Sequence, residues 1–435
     1  MKDTKITVLD GIPGSGKTTW AINYMNENSD KKFMFITPFL EEVDRIKDAT
    51  KEEFIAPTHK GEGKLEDLYY NLLSYKNIVA THKLFQGYDN RILEALKKNK
   101  YILILDEVME VLKKIETEKD DIKYLLEKKS IEIDENNYVH WIDTEYKEIT
   151  KKYRDIKTKA DNGNLIYVND TLLMWAFPTE IFNYFDEVYI LTYMFNGQIM
   201  KHYYDFYNVK YKKMSVIKEN SKYKLAEYSK QHEINYINQY KKLINIYDGK
   251  LNDIGNKHRN SNPFSVTWYK NIDNNKFKTI KKNIENYYKN IVKSKVNYNM
   301  WTTFKDYETR LKGKGYTKHP LANEMGYPLK DKNGKTENQK CFIPYNCRAT
   351  NKYRYKQNLV YLCNVFVLPD TKQFFYLKNI EFNEDEYALS ELIQWIFRSR
   401  IRNNQSINIY IPSVRMRGLL FNWLNVDKKD INNVA

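Results

Sequence analysis

The chain has 435 residues, enough for two or three domains with buried cores. Lys and Arg outnumber Asp and Glu by 71 to 56, and this +15 surplus favours polyanionic partners, nucleic acid ahead of an acidic membrane surface; 37 tyrosines argue against disorder. Three cysteines, Cys341, Cys347 and Cys363, show no CxxC spacing and support neither a zinc site nor a disulfide framework, and no apolar run approaches the roughly 18 residues of a membrane span.

The opening MKDTKITVLDG runs straight into a strand, so no leader is expected and the protein reads as cytoplasmic. Lys5–Leu9 is an apolar, β-branched run that predicts a buried parallel strand, and Thr19–Met25 predicts a helix. Between them Gly11-Ile-Pro-Gly14-Ser15-Gly16-Lys17-Thr18 fits GxxxxGK[ST] in the strand–loop–helix setting the motif requires. Glycines let backbone N–H groups turn inward around phosphates, and the helix N-terminus adds its positive end. Gly11, Gly14, Ser15, Gly16, Lys17, Thr18 and Thr19 form the expected nucleotide-binding set, with Lys17 on the β and γ oxygens and Thr18 on Mg²⁺.

Phe33–Phe39 and Asn77–Phe85 are further apolar strands, ending in Thr37-Pro38 and Thr81-His82-Lys83. Lys100–Glu107 is a continuous apolar run ending in two carboxylates, as expected for a strand covered on both faces. Asp106 is the expected metal partner, and Glu107 the group that orients or deprotonates water, a pairing that favours hydrolysis over transfer to a hydroxyl. A pair of solvated acids at a strand end is the plainer alternative.

The charged stretch from about 112 to 165 reads as a helical insertion with a short β element. Glu187–Phe195 delivers another strand-end hydroxyl, Thr192. Each such Thr read singly is a helix N-cap; read together beside a nucleotide site they suggest a polyanion along the sheet edge.

From 206 to 295 the chain is basic and helical in pattern, with a strand expected at Phe264–Tyr269. Strand patterns return at Tyr298–Phe304, Lys340–Pro344, Leu359–Asn364 and Ser406–Ile411. The apolar spacing of Leu389–Arg402 predicts a helix with Gln394, Arg398 and Arg402 on one face, suited to a triphosphate across a cleft. A basic face that touches only nucleic acid is the alternative reading. The expected architecture is α/β: an ATP-binding lobe over 1–205, a basic helical segment over 206–295, and a second lobe over 296–435 without a phosphate loop.

The order GIPGSGKTT, ITPF, VATHKLF, LILDEV, LTYMF, RATNKY, QWIFRSRIR resembles superfamily 2 helicases, and more closely the divergent helicase-like ATPases encoded by bacteriophages. The resemblance implies two RecA-like lobes that bind ATP and Mg²⁺, and nucleic-acid contacts from Thr37, Thr81, His82, Arg348, Thr350 and Asn351. It also implies that Thr192 couples the two events and that Gln394, Arg398 and Arg402 complete catalysis, with Arg400 as a substitute for Arg402. Phe397 and Arg400 stand where the family's last motif carries glycines, and Val108 separates the chain from DEAD-box and DEAH-box proteins. The function implied is a DNA helicase or translocase in phage replication or remodelling, acting in the host cytoplasm on DNA rather than RNA, with phage or host replication proteins as partners. The alternatives are an ATP-gated loader that does not unwind, and a packaging motor.

Overall fold

The computed structural model of the chain describes residues 6–59, 61, 63–144, 151–256, 261–321, 328–346 and 352–425. In chain order the first strands are β1 (Ile6–Asp10), β2 (Lys32–Thr37), β3 (Phe54–Ile55), β4 (Asn77–Thr81) and β5 (Tyr101–Asp106). β6 (Leu112–Lys114), β7 (Ile131–Ile133), β8 (Val139–Trp141), β9 (Leu165–Val168) and β10 (Leu172–Ala176) follow, then β11 (Phe185–Thr192), β12 (Tyr211–Glu219) and β13 (Lys222–Glu227).

The continuous apolar runs become strands buried along their whole length, as in β1 and β5. They lie in an eight-stranded sheet of order β13-β12-β1-β11-β5-β2-β4-β3, in which β11, β5, β2, β4 and β3 are mutually parallel. Helices Lys17–Glu27, Leu40–Ala49, Lys64–Leu73 and Asn90–Lys98 connect them. The register levels one edge of the sheet. Leu191 pairs with Asp106, Ile36 with Leu105 and Thr37 with Thr81, so the carboxyl ends of β11, β5, β2 and β4 finish at nearly one level.

The charged insertion carries more β structure than its composition suggests. β6, β10 and β9 form an antiparallel sheet, β7 and β8 a hairpin, and helices Lys119–Glu127 and Lys151–Asp161 complete it.

β14 (Ile244–Ile246), β15 (Asn299–Thr302), β16 (Lys318–Pro320), β17 (Asn338–Lys340), β18 (Asn358–Tyr361) and β19 (Ile407–Tyr410) belong to the second half. β14-β19-β18-β15 is a four-stranded parallel sheet, with helices Asn274–Asn286 and Glu384–Ile396 among its connections and helix Val414–Leu424 after its last strand.

Grouped by contacts, the chain makes two compact units. The first takes Met1–Leu9, Thr18–Lys213 and Val367–Glu384; the second takes Asp10–Lys17, Met214–Phe366 and Asp385–Ala435. Each has a core: one around Val8, Leu103, Leu105 and Phe177, the other around Tyr269, Tyr288, Trp301 and Tyr410.

Two expectations are corrected. Phe264–Tyr269 is no strand: Phe264 takes a left-handed φ of 66°, Ser265 Oγ accepts from the Trp268 N–H at 3.2 Å, and a helix runs over Val266–Asn271. The basic segment after 206 is also not helical throughout, because β12 and β13 form an antiparallel hairpin there. Its turn residues Asn220 and Ser221 both have positive φ, 47° and 64°, the geometry that matches the twist of a tight hairpin. Among the described residues no helix is long and apolar enough to cross a membrane.

Candidate functional site

β1 ends at Asp10 and helix Lys17–Glu27 begins seven residues later, with the glycine loop between them. Gly14 and Gly16 both take φ of 93°, open to glycine and costly for other residues, and Ser15 N–H closes a turn on the Ile12 carbonyl at 3.1 Å. Lys17 Nζ donates to the Gly11 carbonyl, and to that of Ile12 at 3.1 Å. The Ser15 hydroxyl is buried without a hydrogen-bond partner.

Within the first unit, Thr18 Oγ1 lies 3.4 Å from Asp106 Oδ1. A hydroxyl and a carboxylate brought together from positions 88 apart in sequence are a hard-oxygen donor pair of the kind Mg²⁺ takes. The residues therefore fit the nucleotide and metal the loop implies.

Glu107 has a left-handed φ of 69°, its N–H donates to Leu191 O at 2.8 Å, and its Oε2 is buried without a partner. Left-handed geometry in a residue with a Cβ costs about 1 kcal/mol or more, and such strain collects at functional sites. His82 Nε2 reaches the Asp106 carbonyl oxygen at 3.1 Å, tying the end of β4 to the acidic strand. Thr81 Oγ1 accepts from Leu84 N–H at 3.4 Å, so it does cap the short helix His82–Phe85. Thr37 and Thr192 are fully buried, with hydroxyls that have no partner.

Within the second unit two side chains lie against the loop. A Cβ placed on Gly14 would come within 3.9 Å of Arg402 Cγ. One on Gly16 would fall 2.0 Å from Cε1 of Tyr223, so this ring rests directly on the glycine. Tyr223 stands in β13 just past the hairpin turn, and sequence reasoning missed it; the alternating run after Tyr211 and the Asn220-Ser221 turn were the available signals. Burial, together with the carboxylates of Glu233, Asp10 and Glu386, holds the Tyr228 phenol well above its ordinary pKa. The Tyr240 phenol is raised by burial and by Tyr236, with Arg402 acting in the opposite sense.

The one-face premise for Gln394, Arg398 and Arg402 is corrected. The helix stops at Ile396, where Ser399 Oγ donates to the Ile396 carbonyl at 2.6 Å, and Arg400–Asn403 is a 3₁₀ turn. Gln394 is buried with neither amide atom hydrogen-bonded, and Arg398 is buried too. The Arg400 guanidinium is engaged by Ser406, Nε donating to its carbonyl at 2.6 Å. Arg348, Thr350 and Asn351 lie outside the described residues, as does Cys347, whereas Cys341 and Cys363 are buried free thiols. Among the described residues no cluster of three or more His, Cys, Asp or Glu is arranged to hold a metal.

Sheet order, glycine loop and acidic strand together define an α/β class with a glycine loop at the end of its first strand. A solved structure described as "XPD_Helicase" superposes with a TM-score of 0.51 at 12% identity, covering 98% of this chain and 96% of its own. Another, "XPD_APO", gives 0.49 at 13% identity over 96% and 95%. The first likeness shows the fold, which is that of an XPD-type helicase in divergent form. Residues 238–424 match the YonV C-terminal Rossmann-like domain and residues 112–175 the YonV middle domain. The chain is 41% identical over 431 residues to the SPbeta prophage-derived uncharacterized protein YonV of Bacillus subtilis (strain 168), covering 97% of this chain and 98% of that one. It belongs to the YonV family.

Proposed function

We propose that the protein is a nucleic-acid-stimulated ATPase, a helicase or translocase acting on DNA in the replication or remodelling of phage genomes. The observation that carries this reading is the approach of Thr18 to Asp106 at 3.4 Å, beside a loop in which Gly14 and Gly16 are left-handed. Loop N–H groups and Lys17 would hold the phosphates, while Thr18 and Asp106 would hold Mg²⁺, which when bound neutralises charge on the phosphate oxygens. Glu107, held by its bond to Leu191 with a buried unbonded oxygen, would orient and deprotonate the attacking water. Arg402, whose Cγ lies against Gly14, would bring its guanidinium to charge developing on the phosphates.

Stimulation by a strand needs a path from the sheet edge to the hydrolytic acids. The His82 contact to Asp106 supplies one, since a strand pressing on the end of β4 acts one side chain away from Asp106 and Glu107. ATP turnover with no polymer, single strands, duplex and forked DNA, at two salt concentrations, tests the reading. Wild type should be stimulated by strands and Lys17→Ala should lose turnover at least about a hundredfold. Unchanged turnover in Lys17→Ala would falsify the ATPase.

A further inference from the structure

A cavity of about 610 Å³ opens in the first unit, within the range of about 300–1,000 Å³ usual for ligand sites. One wall comes from the ends of β2 and β4, with Pro38, His82 and Lys83. The other comes from the inserted segment, with Lys113, Lys159 and Trp175. The lining is unusual in its mixture. Lys83, Lys113 and Lys159 line the cavity with one carboxylate, that of Glu110, and the rings of Trp175 and Tyr88 and the amides of Asn162 and Asn164 share the same space; the Lys159 ammonium is paired with Asp155 on its own helix, which leaves Lys83 and Lys113 for an incoming anion.

Excess positive charge selects an anion, but a free inorganic anion has no use for rings and amides. An apolar small molecule has no use for lysines. A nucleotide unit uses all three: phosphate on the ammoniums, base face on the rings, base edge on the amides.

The placement is rigid on the inserted side. Lys113 and Trp175 are cross-strand partners on β6 and β10, so cation and ring are held by a ladder rather than by a loop. On the opposite wall His82 links the cavity to the Asp106 carbonyl at 3.1 Å.

We propose that this cavity binds one nucleotide unit of a single-stranded polynucleotide, and that the inserted segment supplies its second wall. The proposal deepens, and rests on, the reading of the chain as a strand-stimulated ATPase. Lys83 and Lys113 take the phosphate, and Trp175 and Tyr88 take the base.

Two exposed positions allow a test without disturbing a core: Lys113→Glu reverses one charge, and Thr158→Trp on helix Lys151–Asp161 fills the cavity. Fluorescence anisotropy of a labelled short oligothymidylate and its oligouridylate counterpart, with thymidine monophosphate as competitor, is measured at several salt concentrations. Each variant should weaken strand binding on the order of tenfold, and Lys113→Glu should lower the salt slope by about one. Ultraviolet cross-linking of the bound strand should map to the peptide containing Trp175. Preference for either polymer supports the site. Wild-type strand affinity in both variants overturns it, and so does a monophosphate that competes as strongly as the polymer. A wild type that binds strands but turns over no ATP leaves the cavity standing and removes the ATPase. A wild type whose turnover responds to strands, with both variants binding as it does, removes only the cavity.

Discussion

Gly16 shows how much a single position carries. Its φ of 93° makes an alanine pay a left-handed penalty of about 1–2 kcal/mol, and the new Cβ would meet the Tyr223 ring at 2.0 Å. Gly16→Ala should therefore lower Tm and abolish the thermal shift given by ATP. In the double variant Gly16→Ala/Tyr223→Ala the collision goes but the backbone strain stays, so Tm should recover in part; no recovery would mean that the ring yields freely. By spacing Arg402 falls on the repeat of four from Gln394 and Arg400 does not, and their contacts differ too: Arg400 is bonded to Ser406 and Arg402 lies against Gly14. Arg402→Ala should reduce strand-stimulated turnover by about 10³ or more, as loss of an arginine finger does, and Arg400→Ala far less. The glycines, Lys17 and Asp106 were legible because their chemistry is local to a motif. Tyr223 was not, because its contact with Gly16 depends on a hairpin returning from a distant part of the chain.

Elements were legible where periodicity and burial agree, as in β1 and β5, and obscure where one hydroxyl decides. The apolar spacing from Leu389 runs on past Ile396, yet Ser399 bonds back to the Ile396 carbonyl, the last turn tightens, and the helix ends. Helix Ile199–Phe206 carries a different consequence. His202 is buried against the Phe382 ring at 4.0 Å with Nε2 unbonded, and burial, then Lys201, lowers its pKa to about 4, Asp205 acting the other way. Between pH 6.5 and about 4 the unfolded chain takes the proton and the folded chain does not, so stability falls with acidification across that window. From pH 7 to pH 5 this histidine should cost about 2 kcal/mol in urea unfolding. His202→Leu should remove that part of the slope; an unchanged difference between the two pH values would show that the imidazole does not titrate there.

At the scale of the molecule, the chain passes five times between its two units, and this was the least legible feature. Nothing local in the sequence of Val367–Glu384 says which core receives it. Packing decides. Phe374 stacks on Phe206 with ring centroids 4.5 Å apart, Phe374 and Phe375 are fully buried in the first core, and Lys114 pairs with Asp370 at 2.9 Å. Large-to-small changes at a buried Phe cost about 3–5 kcal/mol, and two of them approach the whole stability of an ordinary domain, about 5–15 kcal/mol. A fragment ending at Lys213 should therefore lack a cooperative unfolding transition although it retains the parallel strands from β1 to β11. Joining residues 367–384 to that fragment through a flexible linker should restore the transition, and Phe374→Ala in the fusion should weaken it again. Cooperative unfolding of the bare fragment would mean that the first core closes without these rings and that the segment only rests on its surface.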